Sequence, residues 1–359
     1  MGVFVVLLLV PLLMQHASLG RQPVFENEKN RSALLVFFLL LTVLLALRHE
    51  SVGNDTANYI HYFKDFSTRS WSELKDVTLE LGFACLGKAI SLLTQNPQLY
   101  LAIVAILTVA MIYPTYRRLS TDSALTIALY CTMSTFVMMF SGIRQMLAIG
   151  IGFLAYEAMR RKRWYFFLPL VGIALTVHSS AFMLLFMYPI YHLPVRKKQM
   201  PYIASALLLF FIVKRPIFVV LLKILAKFTK YKVELVDTGA YTMLLLFIVF
   251  AIFAFVIPDE SKLDAETKGL RSFLLFSALL QMFASMHETA MRMNYYYIMF
   301  IPLLLPRIIA CRSRTWSQVA RLARHVMVIF FVAYFFYSAL TGTENLHVFP
   351  YHFFWEKIA

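Results

Sequence analysis

Charged residues of the kind that bind phosphate lie at the ends of long apolar runs. The segment 141–145, Ser-Gly-Ile-Arg-Gln, joins two such runs, so Arg144 and Gln145 begin the second run. A helix N-terminus presents unpaired N–H groups and the positive end of the helix dipole. Arginine adds a permanently charged, bidentate fork. Arg144 is therefore predicted to bind an anion such as a phosphate, and the alternative is an arginine that extends to the lipid headgroups.

Three other residues are candidates for moving a proton. Asp55 lies in a polar, turn-forming loop, where it can act as a general base for a sugar hydroxyl or cap the helix that begins after it. Glu80 opens an apolar stretch and either lines a cavity or caps a helix. His178 separates two apolar runs, as a base, a hydrogen-bond donor or an ordinary interfacial histidine. The residues alone do not rank these three.

Two more arginines, Arg48 and Arg292, also stand at the ends of apolar runs. Charges at membrane depth are costly, so both are functional candidates. Arg292 lies four residues after Glu288, and the two can simply pair on one helix. Ser141 with His178 suggests an intramembrane serine protease, but position 139 is Met where that chemistry requires Gly. That class is rejected.

The elements that must position these residues are membrane helices. Of the 359 residues, 60% are hydrophobic and 15% charged, and the mean hydropathy is +0.69. This composition argues against a disordered chain and against a soluble enzyme. The sequence predicts an all-α, polytopic membrane protein with about 12 spanning helices. The apolar runs lie at about 2–19, 32–47, 98–113, 123–140, 143–159, 164–177, 180–192, 201–213, 240–257, 270–286, 292–310 and 323–340. Interfacial helices are predicted at 80–94 and 217–228.

The distribution of basic residues predicts the orientation of these helices. The net charge is +15, with clusters of Lys and Arg at 117–118, 160–163, 196–198 and 307–324. Membrane proteins keep such loops in the cytoplasm, which explains the charge without nucleic acid as a partner. Both chain ends and all the candidate residues above then fall on the outer face.

The chain is predicted to be a single domain, residues 1–359. Its outer loops are placed at about 48–97 and 214–239, and its tail at 341–359. The first run is either a retained helix or a signal peptide that is cleaved after the small residues at 17–20. The cysteines at 85, 131 and 311 fit neither a disulfide framework nor a metal site. With no Walker loop either, no cofactor and no metal are expected.

Several ordered motifs resemble the EpsG family of polysaccharide polymerases, which are similar in role to Wzy O-antigen polymerases. The resemblance covers about residues 30 to 355, and position 54 is Asn where the family usually has a Gly-Thr-Asp type of loop. The motifs are Arg48 followed by Gly53-x-Asp55-Thr56 and Tyr59; Glu80-x-Gly82-Phe83; Gly142-x-Arg144-Gln145; His178-x-Ser180-Ala181; Arg292 before a tyrosine-rich helix; and the tail Pro350-Tyr351-His352-Phe353-Phe354-Trp355.

The resemblance implies a membrane glycosyltransferase of the GT-C type. It would polymerise oligosaccharide repeat units carried on undecaprenyl pyrophosphate, at the outer face of the bacterial cytoplasmic membrane. No nucleotide sugar or metal takes part, and direct displacement would invert the anomeric carbon. The implied pyrophosphate ligands are Arg144, Arg292, Arg48 and Gln145, and the implied bases are Asp55, Glu80 and His178. The implied partners are the lipid-linked oligosaccharide and membrane lipid, with a chain-length regulator and a flippase as further candidates.

Two alternatives remain open. An O-antigen ligase-like enzyme uses the same donor with another acceptor, but usually carries a large outer loop, and here none exceeds about 50 residues. A flippase or transporter of lipid-linked sugars needs cations too, but is expected to have charges along a path across the membrane. In this sequence the unusual polar residues gather on one face.

Overall fold

The computed structural model describes residues 2–16, 23–228, 241–342 and 346–358. The signal-peptide-like residues 17–20, part of the predicted outer loop 214–239, and residues 343–345 of the tail lie outside them. The described residues form α-helices and short 3₁₀ turns, with two isolated bridges and no strand. The all-α prediction is therefore confirmed over this part of the chain.

The structure divides into two compact units, and the single-domain assignment stays a prediction. The first comprises Met1–Leu185 with Arg321–Ala359, and the second comprises Phe186–Ala320. The helices of the first unit are α1 Gly2–His16, α2 Pro23–Leu47, α3 Thr56–Thr68, α4 Leu81–Ser91, α5 Pro97–Leu119, α6 Ser123–Thr132, α7 Ser134–Ser141, α8 Ile143–Arg160 and α9 Trp164–Val177. Those of the second are α10 Met187–His192, α11 Met200–Phe228, α12 Thr242–Val256, α13 Ala265–Ala284, α14 Glu288–Ile298 and α15 Ile301–Ala310. Helix α16, Ser317–Thr341, runs from the end of the second range into the first.

The helices identify a membrane protein. Five stretches of the described chain are long and apolar enough to cross a bilayer, and α6 with α7, bent by 64°, would make a sixth. The five are Asn30–Leu47, Pro97–Leu119, Lys197–Val220, Thr289–Ala310 and Ser317–Thr341. Other predicted runs form shorter or interrupted helices, because hydropathy alone does not reveal where the backbone breaks. The run at 180–192, for example, folds as a 3₁₀ segment, Ser179–Phe186, followed by the six residues of α10.

The structure shows a helix in each of two predicted outer segments. Helix α4 has eleven residues, which is too short for a span and agrees with the expected interfacial role of 80–94. Residues 217–228, predicted as a separate interfacial helix in the outer loop 214–239, are helical, but they belong to α11, which continues without a break from the apolar run that ends at 213 to Phe228. The remaining residues of that loop, from 229 onward, lie outside the described part.

Aromatic packing holds the C-terminal tail against the first unit. Phe4 of α1 makes edge-to-face contacts with Phe136 and Phe140 of α7, and with Phe349 and Tyr351 of the tail, at centroid distances of 4.7 to 6.4 Å. Such pairs contribute about 0.5–1.5 kcal/mol each beyond their burial. The tail is therefore part of the core of this unit.

Polar contacts at the start of α6 join it to α2 and α16. Asp122 caps α6 by accepting from the Leu125 N–H, and it also pairs with Arg324 of α16 at 2.5 Å. The Asn30 side chain of α2 accepts from the Ser123 N–H at 2.7 Å. These contacts bring α2, α6 and α16 together where the chain enters α6.

The second unit has its own polar core. Arg271 of α13 is fully buried and makes a two-point ion pair with Glu260, at 2.5 and 3.0 Å. Deeper in α13, Ser277 and Gln281 hydrogen-bond the Asn294 side chain of α14 at 2.8 and 3.0 Å. Buried polar groups of this kind fix the register of two helices, because leaving any of them unpaired is costly.

Candidate functional site

The first unit brings three of the predicted site residues together around one carboxylate. Glu80 accepts a hydrogen bond from the Arg144 guanidinium on one oxygen. Its other oxygen lies 3.2 Å from His178 Nδ1 and 2.9 Å from the Ser179 N–H. The three side chains are about a fifth exposed, at 20%, 23% and 19%. We call Glu80, Arg144 and His178 the outer triad, after the face on which the distribution of basic residues predicts them to lie.

Each member stands at the end of a helix. Glu80 is the N-cap of α4, but its side chain makes no capping bond and turns to the triad instead. Arg144 is the second residue of α8, directly after the Gly142 turn that ends α7. His178 follows the last residue of α9 in an extended conformation. A side chain at the end of a helix can point away from the contacts between helices. This allows the three side chains to meet.

The approach of α4 to α9 depends on Gly82. A Cβ at this position would lie 2.2 Å from the Thr176 hydroxyl and 2.8 Å from its carbonyl oxygen. The absence of a side chain lets the start of α4 approach the last turn of α9. This contact sets the spacing of Glu80 and His178.

Tyr59 of α3 completes the surroundings of Arg144. Its ring centroid lies 6.0 Å from the guanidinium carbon, and its hydroxyl oxygen accepts a hydrogen bond from Arg144. The ring is 5% exposed. Burial raises the pKa of the Tyr59 phenol, and the Arg144 charge only partly offsets this. The phenol therefore stays protonated and neutral beside the guanidinium.

Glu80 is strongly held in its ionised form. Burial opposes ionisation, but the hydrogen bonds from His178 and the Ser179 N–H, with the charge of Arg144, outweigh it and hold the Glu80 pKa well below its usual range. Both carboxylate oxygens are already hydrogen-bonded. Such a carboxylate is a weak proton acceptor and a good electrostatic anchor.

The hydrogen bond to Glu80 also fixes the tautomer of His178. An ionised carboxylate only accepts hydrogen bonds, so Nδ1 must carry the proton. In the neutral ring Nε2 then has the lone pair. This is the arrangement in which a carboxylate orients an imidazole as a general base.

Arg48 holds a loop in place. Its side chain is 2% exposed; Nη1 donates to the Leu45 carbonyl at 2.6 Å and Nε donates to the Thr56 hydroxyl at 3.3 Å. The backbone of Arg48 forms a bridge to Phe353 of the tail. Its guanidinium thus connects the end of α2 to the start of α3 beneath the loop.

That loop lies directly on the turn that carries Arg144. Thr56 donates to the Phe140 carbonyl at 3.1 Å, and Gly53, at φ +86°, approaches the same carbonyl so closely that a Cβ would lie 2.4 Å from its oxygen. Asp55, within this loop, is half-buried and occupies the N-cap position of α3 without making a capping hydrogen bond. Its carboxylate makes no ion pair with any residue that the structure describes.

The sequence predicts two further pyrophosphate ligands, Gln145 and Arg292. Gln145 follows Arg144 in α8 and is 3% exposed, so it packs into the helix bundle. Arg292 is exposed on α14 and belongs to the second unit. His287, five residues before Arg292, is the N-cap of α14, and its Nδ1 accepts a hydrogen bond from the Thr289 N–H at 3.0 Å. The pyrophosphate roles of Gln145 and Arg292 stay predictions.

Two contributors were not predicted as site residues. Tyr59 lies one helical turn after Asp55 and belongs to the motif that begins at Arg48, but the motif does not reveal that its phenol is buried against an arginine. The Ser179 N–H anchors Glu80 through the backbone, which any residue type can provide. Neither could be assigned without the arrangement of α3, α4 and α9.

Comparison with known proteins gives one match. The family model of the EpsG family matches residues 32–353, nearly the whole chain, including every residue of the candidate site. No curated protein and no solved structure matches the chain.

Proposed function

Because the chain belongs to the EpsG family, which indicates a polysaccharide polymerase-like glycosyltransferase in a membrane, we propose that it joins oligosaccharide repeat units carried on undecaprenyl pyrophosphate. The reaction takes place at the outer face of the bacterial cytoplasmic membrane. The observation that supports it best is the outer triad, in which one carboxylate holds a guanidinium and an imidazole side by side.

The proposed reaction is a single displacement. A sugar hydroxyl of one lipid-linked unit attacks the anomeric carbon of the growing chain, the bond from that carbon to the pyrophosphate oxygen breaks, and the configuration inverts. His178 takes the hydroxyl proton at Nε2, and the pyrophosphate leaves with the bonding electron pair. Charge grows on the leaving oxygen, and Arg144 stabilises it.

Glu80 is assigned a positioning role in this scheme. Its contacts keep Arg144 and His178 in fixed orientations, so little reorganisation is needed as charge develops. Asp55 is the second candidate for the base, since its carboxylate makes no capping bond. Arg48 is assigned to hold the loop that carries Asp55, because its guanidinium is buried and bonded to Leu45 and Thr56.

The test is polymer formation from a defined substrate. Purified protein is mixed with a pyrophosphate-linked repeat unit, EDTA and no nucleotide sugar, and the products are separated on a gel. A ladder of glycans is expected. No ladder from folded protein would refute the polymerase; transfer to a lipid A acceptor would indicate a ligase, and movement of the unit across vesicles a flippase.

Two substitutions separate the candidate bases. His178→Gln should remove the acidic limb of the pH–rate profile, because the rate no longer depends on deprotonating the base. Asp55→Asn should leave that limb in place. The reverse result would transfer the role of base to Asp55.

A further inference from the structure

A cavity of about 370 Å³ lies between the far ends of α8 and α9 in the first unit. Arg144 begins α8 and His178 follows α9, whereas this cavity is formed by the last turn of α8 and the first half of α9. At 1.5 Å per residue, the 13 residues from Arg144 to Glu157 extend about 20 Å along the helix. The cavity is therefore separate from the outer triad.

The mouth of the cavity is positively charged. Of the described residues that line the cavity, Glu157 alone is acidic. Its carboxylate forms ion pairs with Arg118 at 2.6 Å and with Arg160 at 2.8 Å. Two lining arginines remain. Arg161 is 53% exposed and 3.7 Å from Glu157, and Arg163 is exposed, with no ion pair to a described residue. The cavity thus carries an uncompensated positive charge.

The wall below these arginines is apolar. Phe166, Pro169, Leu170 and Ile173 line it, and this i, i+3, i+4, i+7 spacing places them on one face of α9. Phe166 and Ile173 are 54% and 53% exposed, so the face is not covered by protein of this unit. A cationic mouth thus continues directly into an apolar wall.

We propose that this cavity binds an anionic phospholipid of the bilayer. Arg161 and Arg163 contact the phosphate, and one acyl chain lies along Phe166, Leu170 and Ile173. A soluble anion would match the arginines but leave the apolar wall unused, and a neutral lipid would leave the net positive charge of the mouth unbalanced. The site does not depend on the proposed reaction.

Charge-matched variants provide the test. Arg161→Gln with Arg163→Gln removes two positive charges from the mouth. Arg117→Gln with Lys162→Gln removes two from exposed neighbours that do not line the cavity. Lipid bound to the detergent-purified protein is measured by native mass spectrometry, with phosphatidylglycerol as the probe and phosphatidylcholine as the reference.

The lining pair should weaken phosphatidylglycerol binding about tenfold or more, and the neighbouring pair by less than about twofold. Phosphatidylcholine binding, which should be unchanged in both, shows that each variant is folded. Equal losses of phosphatidylglycerol binding in the two double variants would overturn the proposal, because they would show that the lipid is attracted by the general positive charge of the region and not by the cavity.

The apolar wall is tested with two leucines of one helix. Leu170→Trp fills the cavity and should reduce phosphatidylglycerol binding, whereas Leu168→Trp, which does not line it, should not. Glycerol 3-phosphate is then added as a competitor. If glycerol 3-phosphate displaced all the phosphatidylglycerol when added at the same concentration, only the phosphate would be recognised. The acyl-chain assignment would then be wrong.

Discussion

Replacing Glu80 by glutamine should slow polymerisation without removing the base. The substitution keeps the shape of the side chain but deletes the charge that orients Arg144 and His178. A hydrogen bond to a charged group contributes about 1.5–3 kcal/mol. The three groups are about a fifth exposed, so solvent screening is modest. Losing one such contact in the transition state corresponds to a rate decrease of about 10- to 150-fold.

The measurement is the initial rate of ladder formation across a pH series. His178 remains in place as the proposed base in this variant, so Glu80→Gln should retain the acidic limb at a lower rate. The effects of Glu80→Gln and His178→Gln should not multiply in the double variant, because both act through one hydrogen-bonded unit. Glu73→Gln is the control: it removes an exposed carboxylate that bonds the Ser70 N–H at 2.7 Å in the same segment.

A wild-type rate for Glu80→Gln would refute the positioning role. Loss of the acidic limb in this variant, with the limb kept in His178→Gln, would instead make Glu80 the base. Either result would require another explanation for the depressed pKa of this carboxylate.

The same substitution predicts how stability depends on pH. The Glu80 pKa is lowered in the folded protein, so the ionised carboxylate stabilises the fold above its unfolded pKa of about 4.3. That contribution is lost as the pH falls through the folded value. Wild type should therefore melt at a higher temperature than Glu80→Gln at pH 7. The gap should begin to narrow below about pH 4 and should close only as the pH falls through the lower, folded value. Tryptophan fluorescence in detergent reports the melting temperature.

Three further substitutions test the surroundings of the outer triad. Arg144→Ala should lower the polymerisation rate by at least about 100-fold while the protein remains in the membrane, whereas Arg69→Ala, at an exposed pair with Asp65, should not; wild-type polymer from Arg144→Ala would remove the pyrophosphate assignment. Gly53→Ala should destabilise the fold by more than about 1 kcal/mol, because the left-handed backbone is strained and the new Cβ meets the Phe140 carbonyl; an unchanged melting temperature would contradict this. Arg48→Met should lower the melting temperature through the loss of about 1–3 kcal/mol, since buried acceptors lose their donor; a stable but inactive variant would point instead to a direct role in the reaction.

The sequence predicted the positions of helices better than it predicted which of them are long and unbroken enough to cross a membrane. Apolar runs located α8 and α9 within a residue or two, because burial in lipid or protein demands apolar side chains along a whole helix. Breaks inside runs were missed, as between α6 and α7 at Met133. The joining of 201–213 and 217–228 into one helix, α11, was missed for the opposite reason, since the charged residues at 214–215 interrupt the hydropathy but not the helix.

The sequence by itself determined the family, the membrane character and the identity of the triad residues. Arg144, Glu80 and His178 were identifiable because charge at the ends of apolar runs is costly and needs a reason. Only the tertiary structure decided their contacts, on which the proposed roles rest. Glu80 and His178 are 98 positions apart in the chain, and their contact exists because Gly82 lets α4 approach α9. Whether a carboxylate acts as base or anchor depends on which groups donate to it, and those donors are brought together only when the helices pack.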